Sequence, residues 1–196
     1  MTARALRLLL VLSATATATA APPAKPAKPA KKDVARQGKS TQHAAPPAAG
    51  TKPAPLVNLY NQWTHEFLAV DPRALPPPDV VDHFLRDHYT NKSMHMDPQL
   101  IHFVVDAAAH FHAPRVDIVS GFRHPKFNLI LRKKGHQVAR DSQHTHGNAV
   151  DFFIAHVTTR DLHAWAVSRK AGGVGLYLES GFVHMDTGKV RYWSGD

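Results

Sequence analysis

Cysteine is absent from all 196 residues, which removes disulfides, thiolate metal sites and a lipid anchor on an N-terminal cysteine. Any metal centre must therefore be assembled from His, Asp and Glu, a nitrogen and oxygen donor set that suits zinc. Long apolar runs are missing too. The N-terminal stretch Leu6 to Leu12 falls well short of the roughly 20 residues that span a bilayer. Acidic residues are few, 15 Asp and Glu against 24 Lys and Arg, which leaves a net charge of +9. No internal repeat is present, and the composition excludes a collagen, a coiled coil or a membrane protein.

The positive surplus sits in one place. Residues 22–55 are almost wholly Ala, Pro, Lys, Gly, Thr, Ser and Gln, and carry seven basic residues against Asp33, +6 of the chain's +9. Such a segment has too little apolar side chain to offset the entropy of ordering, so it reads as a disordered linker. Arg4 and Arg7, the apolar stretch and the small residues Ala18-Thr19-Ala20 read as a signal peptide over residues 1–21, cleaved on export. Residues 56–196 are then nearly neutral, so a basic face for nucleic acid is not expected. The tail is either a cationic tether to an anionic envelope polymer or a solvated spacer.

From Leu56 onward the pattern is that of one α+β domain, a small antiparallel sheet with helices packed against it. Asp79 is placed to cap a helix after Pro76-Pro77-Pro78. A longer helix is expected from Pro98 to about His112, with Leu100, Ile101, Val104, Val105, Ala108 and Phe111 inward. Arg115 to Ser120, Ala149 to Ala155, Gly175 to Leu178 and Phe182 to Asp186 read as strands. A hairpin at Thr187-Gly188-Lys189 would bring in Val190 to Trp193, and Thr159 is placed to cap a helix with Leu162, Trp165 and Ala166 inward.

The informative segment is Asp141-Ser-Gln-His-Thr-His-Gly-Asn-Ala-Val-Asp151. Burying Asp151 between apolar strand neighbours costs several kcal/mol unless a cation or hydrogen bonds compensate, on the order of the penalty for an unpaired buried charge. A metal held by His144, Asp151 and, from a neighbouring strand, His184 is the economical explanation. Three protein ligands leave the fourth tetrahedral position of Zn²⁺ to water, the arrangement of a hydrolytic site. His102, Asp106 and His110 also share a helix face, but lie opposite the apolar stripe and read as solvated.

Ser142, His144, Gly147, Ala149 and Asp151 match S-x-H-x-x-G-x-A-x-D, and residues 182–188 read F-V-H-x-D-T-G. Together with Leu59-Tyr60-Asn61, Ser120-Gly121-Phe122-Arg123, Gly172 to Tyr177 and Val190 to Trp193, these motifs run from about Leu56 to Trp193. Over that span the chain resembles the zinc peptidases of the D-Ala-D-Ala carboxypeptidase and hedgehog-like fold. The resemblance implies one Zn²⁺ on His144, Asp151 and His184, and a substrate-facing Arg123 that grips a peptide carboxylate. On residue chemistry alone, Arg123 also suits a bridge to Asp117 or to a backbone carbonyl. The substrate class implied is the peptidoglycan stem peptide, with hydrolysis of cross-links between D-Ala and meso-diaminopimelate or between two diaminopimelates.

Some members of that family carry a Glu three residues before the last His ligand, and this chain has Gly181 there. Asp186, two residues beyond His184 on the same strand face, is the first choice for polarising the zinc-bound water, with Glu179 second and His146 a further candidate. The alternative duty for Asp186 is to orient His184. Two rival functions stay open: a D,D- or L,D-carboxypeptidase that trims stem peptides, and a wall-binding module that keeps zinc without hydrolysis. The reading also takes the protein to be a monomer located in the periplasm or cell envelope.

Overall fold

The apolar stripe of Leu100, Ile101, Val104, Val105 and Ala108 does form a helix and is fully buried. It is α2 (Gln99–His110), and the Asp97 carboxylate accepts a hydrogen bond from the Gln99 N–H at its start, 2.9 Å. The computed structural model describes residues 55–136 and 138–195. The expected signal peptide over 1–21 and all but the last residue of the expected linker over 22–55 lie outside the described residues. Among the described residues no helix is long and apolar enough to cross a membrane.

In chain order the elements are β1 (Val57–Asn61), β2 (Phe67–Val70), α1 (Pro78–Phe84), α2, β3 (Arg115–Ser120), α3 (Pro125–Lys133), β4 (Ala149–Phe153), α4 (Thr159–Arg169), β5 (Gly173–Tyr177), β6 (Phe182–Asp186) and β7 (Arg191–Gly195). A 3₁₀ turn at Gln143–His146 precedes β4. The α+β class is as expected, but the sheet is neither small nor purely antiparallel. It has seven strands in the order β2-β1-β3-β4-β6-β5-β7, with β1/β3 and β5/β7 parallel. The parallel pair β1/β3 follows from the crossover through α1 and α2, which returns the chain in its original direction.

The expected hairpin between β6 and the final strand does not form. Both edges of β6 are already paired, one with β4 and the other with β5, so the last strand crosses over and pairs with β5 instead. The cap of α4 also shifts by one residue: the Thr158 hydroxyl, not that of Thr159, accepts from the Asp161 N–H at 3.1 Å. Asp79 lies in the first turn of α1 without capping it.

Strand alternation divides the sheet into two faces. Val116, Ile118, Val150, Phe152, Val183 and Met185 join the core on the face that α2 and α4 cover. Asp151, His184 and Asp186 alternate with them and so point to the opposite face, where all three are nonetheless buried. Polar groups this deep need partners or a cation.

Candidate metal centre

β4 and β6 pair so that Asp151 stands directly opposite His184. His144 reaches the same point from the 3₁₀ turn, which closes at Gly147 with φ 74°. A side chain at Gly147 would clash with the His95 carbonyl, so this left-handed close approach requires glycine. The three donor atoms converge: His144 Nε2 lies 3.1 Å from Asp151 Oδ1 and 3.1 Å from His184 Nδ1, which is itself 2.8 Å from Asp151 Oδ1.

The outer ring nitrogens fix the tautomers. His144 Nδ1 donates to the Gly121 carbonyl at 2.8 Å, and His184 Nε2 donates to Asp186 Oδ2 at 3.0 Å. Each imidazole therefore turns its lone pair inward, towards a carboxylate oxygen. Three converging lone pairs repel one another unless a cation lies among them, and these three residues could hold a metal ion. Tetrahedral zinc with bonds of about 2.0–2.2 Å separates neighbouring donors by roughly 3.3–3.5 Å, so only a few tenths of an ångström of adjustment is needed.

The electrostatics agree. Burial pushes the Asp151 carboxyl up, but His144 and His184 outweigh it and hold the group well below the ordinary carboxylate range. Burial, helped by Arg123 and His184, pushes the His144 imidazole down against the pull of Asp151. For His184 burial acts downward as well, yet Asp151 and Asp186 together more than offset it and raise the imidazole. A proton and a metal thus compete for His184 Nδ1, so metal affinity must fall with falling pH.

Asp186 does share the face of His184, but not its inner edge. Its carboxylate sits on Nε2, the ring nitrogen away from the converging donors, and is fully buried. Both oxygens are spent: Oδ1 accepts from the N–H groups of Gly173 and Gly188 and from Arg191 Nη1, and Oδ2 from His184 and Arg191 Nη2 at 2.7 Å. Against burial, these donors hold the carboxyl well below its usual range. Glu179 is exposed in the β5–β6 turn and does not line the cleft over the centre. His146 is turned to Asp141, 2.6 Å away, with both residues exposed.

Arg123 follows β3 and is held by its own N–H, which donates to the His144 carbonyl at 3.0 Å. Its guanidinium lies 3.7 Å from Asp151 Oδ2 and 3.4 Å from the Ser120 hydroxyl, facing the cleft of about 680 Å³. Asp117, the rival partner, is instead taken by Gln62 and Arg115.

Two rungs of the sheet carry information that spacing along the sequence did not reveal. Asp151, His184, Gly175 and Trp193 are aligned across β4, β6, β5 and β7, and Gly173 is paired with Arg191 beside Asp186. Glycine at both β5 positions lets side chains from β7 pass over that strand: Arg191 reaches Asp186, and the Trp193 ring lies 5.2 Å from that of His184. A Cβ at Gly173 would come within 2.5 Å of Arg191 Nη1 and Asp186 Oδ2, and one at Gly175 within 2.6 Å of the indole. Gly173→Ala is therefore expected to weaken metal affinity about 10- to 100-fold, the usual scale for loss of a group that orients a ligand. Competition titration with a metal-binding dye checks this, and an unchanged affinity would remove the rung from the account.

Fold and centre define an α+β protein with a buried His/Asp/His donor set on the floor of a cleft. A family model described as peptidoglycan L,D-endopeptidase MepK matches residues 74–193, and the chain belongs to that family, Peptidase_M15_2. It is 38% identical over 115 residues to the peptidoglycan L,D-endopeptidase MepK of Escherichia coli strain K12, covering 58% of this chain and 63% of that protein. A probable peptidoglycan L,D-endopeptidase MepK from Haemophilus influenzae is 35% identical over 117 residues, 59% of this chain and 63% of its own. The chain thus spans a little under two thirds of the length of these relatives. No solved structure matches it significantly.

Proposed function

We propose that this protein is a zinc-dependent endopeptidase that hydrolyses peptide cross-links in peptidoglycan. The observation that carries the reading is the convergence of His144 Nε2, Asp151 Oδ1 and His184 Nδ1 beside Arg123 at the base of an open cleft. His144, Asp151 and His184 would hold the ion. Bound there, zinc supplies Lewis acidity, polarising a carbonyl and lowering the pKa of a water molecule.

The chain's own residues do the rest. Arg123 offers a planar fork to a stem-peptide carboxylate and so seats the scissile bond. Asp186, gripped by Arg191, keeps the His184 ring in the tautomer whose Nδ1 lone pair points inward. We assign it to positioning, because both of its oxygens are spent on the far side of the ring. Among the described residues that line the cleft, the remaining carboxylate is Asp141, paired with His146, and we assign to it the proton taken from water.

The name of the relatives, L,D-endopeptidase, favours the cross-link between two diaminopimelates, whose carbonyl comes from an L centre and whose amine comes from a D centre. A second reading is favoured by Arg123, whose position equally suits a free C-terminal carboxylate and hence a carboxypeptidase. Digestion of purified sacculi followed by muropeptide separation tests both readings. Loss of diaminopimelate-linked dimers is the expected result, shortened monomers would favour the carboxypeptidase, and an unchanged profile with metal-loaded protein would leave only a binding module. Export to the periplasm through residues 1–21 and tethering to anionic wall polymer through residues 22–55 complete the proposal. Removal of 22–55 should then weaken sacculus binding in a salt-dependent way.

A further inference from the structure

Trp63 is a large aromatic residue left 58% exposed, yet both its backbone and its ring are tied down by hydrogen bonds. It lies in the turn between β1 and β2, N-terminal to residues 74–193 that the family model matches. The Asn61 side chain accepts from the N–H groups of Trp63 and Thr64 at 3.0 and 3.1 Å and donates to the Phe84 carbonyl at 2.9 Å. Glu66, where the turn ends, is clamped by Arg86 through two bonds of 2.7 and 2.9 Å. The indole N–H itself donates to the Val119 carbonyl at 2.9 Å, which fixes the plane of the ring.

Behind that plane is a ladder. Trp63 stacks on His88 at 4.2 Å and 3°, His88 meets the edge of Phe127 at 5.0 Å, and Phe127 stacks on Tyr89 at 5.0 Å and 9°. Tyr89, at the other end, is 53% exposed. Three separate segments thus contribute to one row of rings, and Trp63, His88 and Phe127 line the same cleft as His144, Asp151 and His184. A ring already immobilised loses little entropy when something settles on it, so this is a preorganised contact surface.

Its chemistry selects the occupant. An aromatic face is electron-rich and attracts the weakly positive C–H bonds on the flat side of a sugar ring, while it repels carboxylates. The stem peptide of the proposed substrate is short, flexible and rich in carboxylates. The glycan strand is a row of pyranose rings. We propose that Trp63, backed by His88, Phe127 and Tyr89, is a glycan subsite that stacks on an amino-sugar ring of the strand and so brings its stem peptide to the metal centre. This rests on the proposed function for the identity of the polymer but does not require hydrolysis.

The test uses the full chain and two probes prepared from sacculi, peptide-free glycan strands released by an amidase and the cross-linked peptides left over. Titration calorimetry should show binding of the glycan strands by the wild-type protein. Trp63→Ala should weaken that binding about tenfold, Trp63→Tyr and Asp151→Ala should largely retain it, and binding of the isolated peptides should be unaffected by Trp63→Ala. Thermal melting of Trp63→Ala controls for folding, with Tyr89→Ala as a second variant on the same row, expected to lose glycan affinity to a smaller degree. Glycan strands that do not bind, or bind equally to both Trp63 variants and wild type, would overturn the proposal, as would a Trp63→Ala loss confined to the peptides. None of these outcomes bears on cleavage, which the muropeptide profile reads separately.

Discussion

Asp151→Ala is expected to strip the protein of metal and to lower hydrolysis by roughly 10³-fold or more, since a mononuclear site with three protein ligands loses most of its affinity with one of them. The carboxylate does more than donate one lone pair. It lies 2.8 Å from His184 and 3.7 Å from Arg123, so its removal takes the anion away from the Arg123 guanidinium and leaves His184 with Asp186 alone. Metal analysis after dialysis should find about one zinc in wild type and little in the variant, and His144→Ala and His184→Ala should behave alike. Wild-type protein that is fully active without metal would end the reading.

The same substitution carries a stability signature in the metal-free protein. The depressed Asp151 carboxyl contributes stability above its unfolded value of about 4, lost as pH falls. The raised His184 imidazole contributes below its unfolded value of about 6.5, and that part fades as pH rises through the folded value. Asp151→Ala removes the first contribution and the share of the second that Asp151 supplies, leaving the share from Asp186. The gap in melting temperature between wild type and variant should therefore be widest between about pH 4 and 6.5. Removing one partner of a buried pair costs on the order of 3–5 kcal/mol, an upper bound here because His184 can shed its proton.

What was legible in the sequence follows a physical line. α2 was readable because its inward residues recur at helical spacing, β3 because Val116 and Ile118 alternate with polar neighbours, and β4 and β6 as short apolar runs. Those apolar runs are what made Asp151 and His184 conspicuous, as polar residues in the wrong company. α3 carries only a short stripe at helical spacing, Phe127, Ile130 and Leu131, whose side chains stay partly exposed while Asn128 is buried; its cap is His124, whose ring accepts from the Lys126 N–H. The partner of β7 was misjudged because a turn sequence reports where a chain reverses, not which strand edge is still free. Nor does any local pattern announce that Trp63, His88 and Phe127 stack, or that Gly173 and Gly175 open a path for Arg191 and Trp193 across β5. Such facts belong to pairs of residues far apart in the chain.

Asp186→Asn separates the two duties that strand spacing alone could not. As a general base, Asp186 would leave zinc bound when replaced and slow the reaction by roughly 10²-fold or more. The geometry leads to the opposite expectation. Asp186 accepts hydrogen bonds from five donors, two of them on the Arg191 fork, and an amide can face that ring of donors with its oxygen on one side only. Its NH₂ group must then oppose either Arg191 or the His184 N–H, and in the latter case the imidazole is driven to turn its lone pair outward. Zinc affinity should drop about 10- to 100-fold, while the rate per bound zinc at saturating metal stays within a few-fold of wild type. Arg191→Ala should reproduce that split in a milder form, since it loosens the same carboxylate without touching the ring. The deciding measurement is the rate of each variant normalised to its zinc content across a zinc titration: a metal-replete Asp186→Asn protein that stays slow would return Asp186 to the chemistry and remove it from positioning.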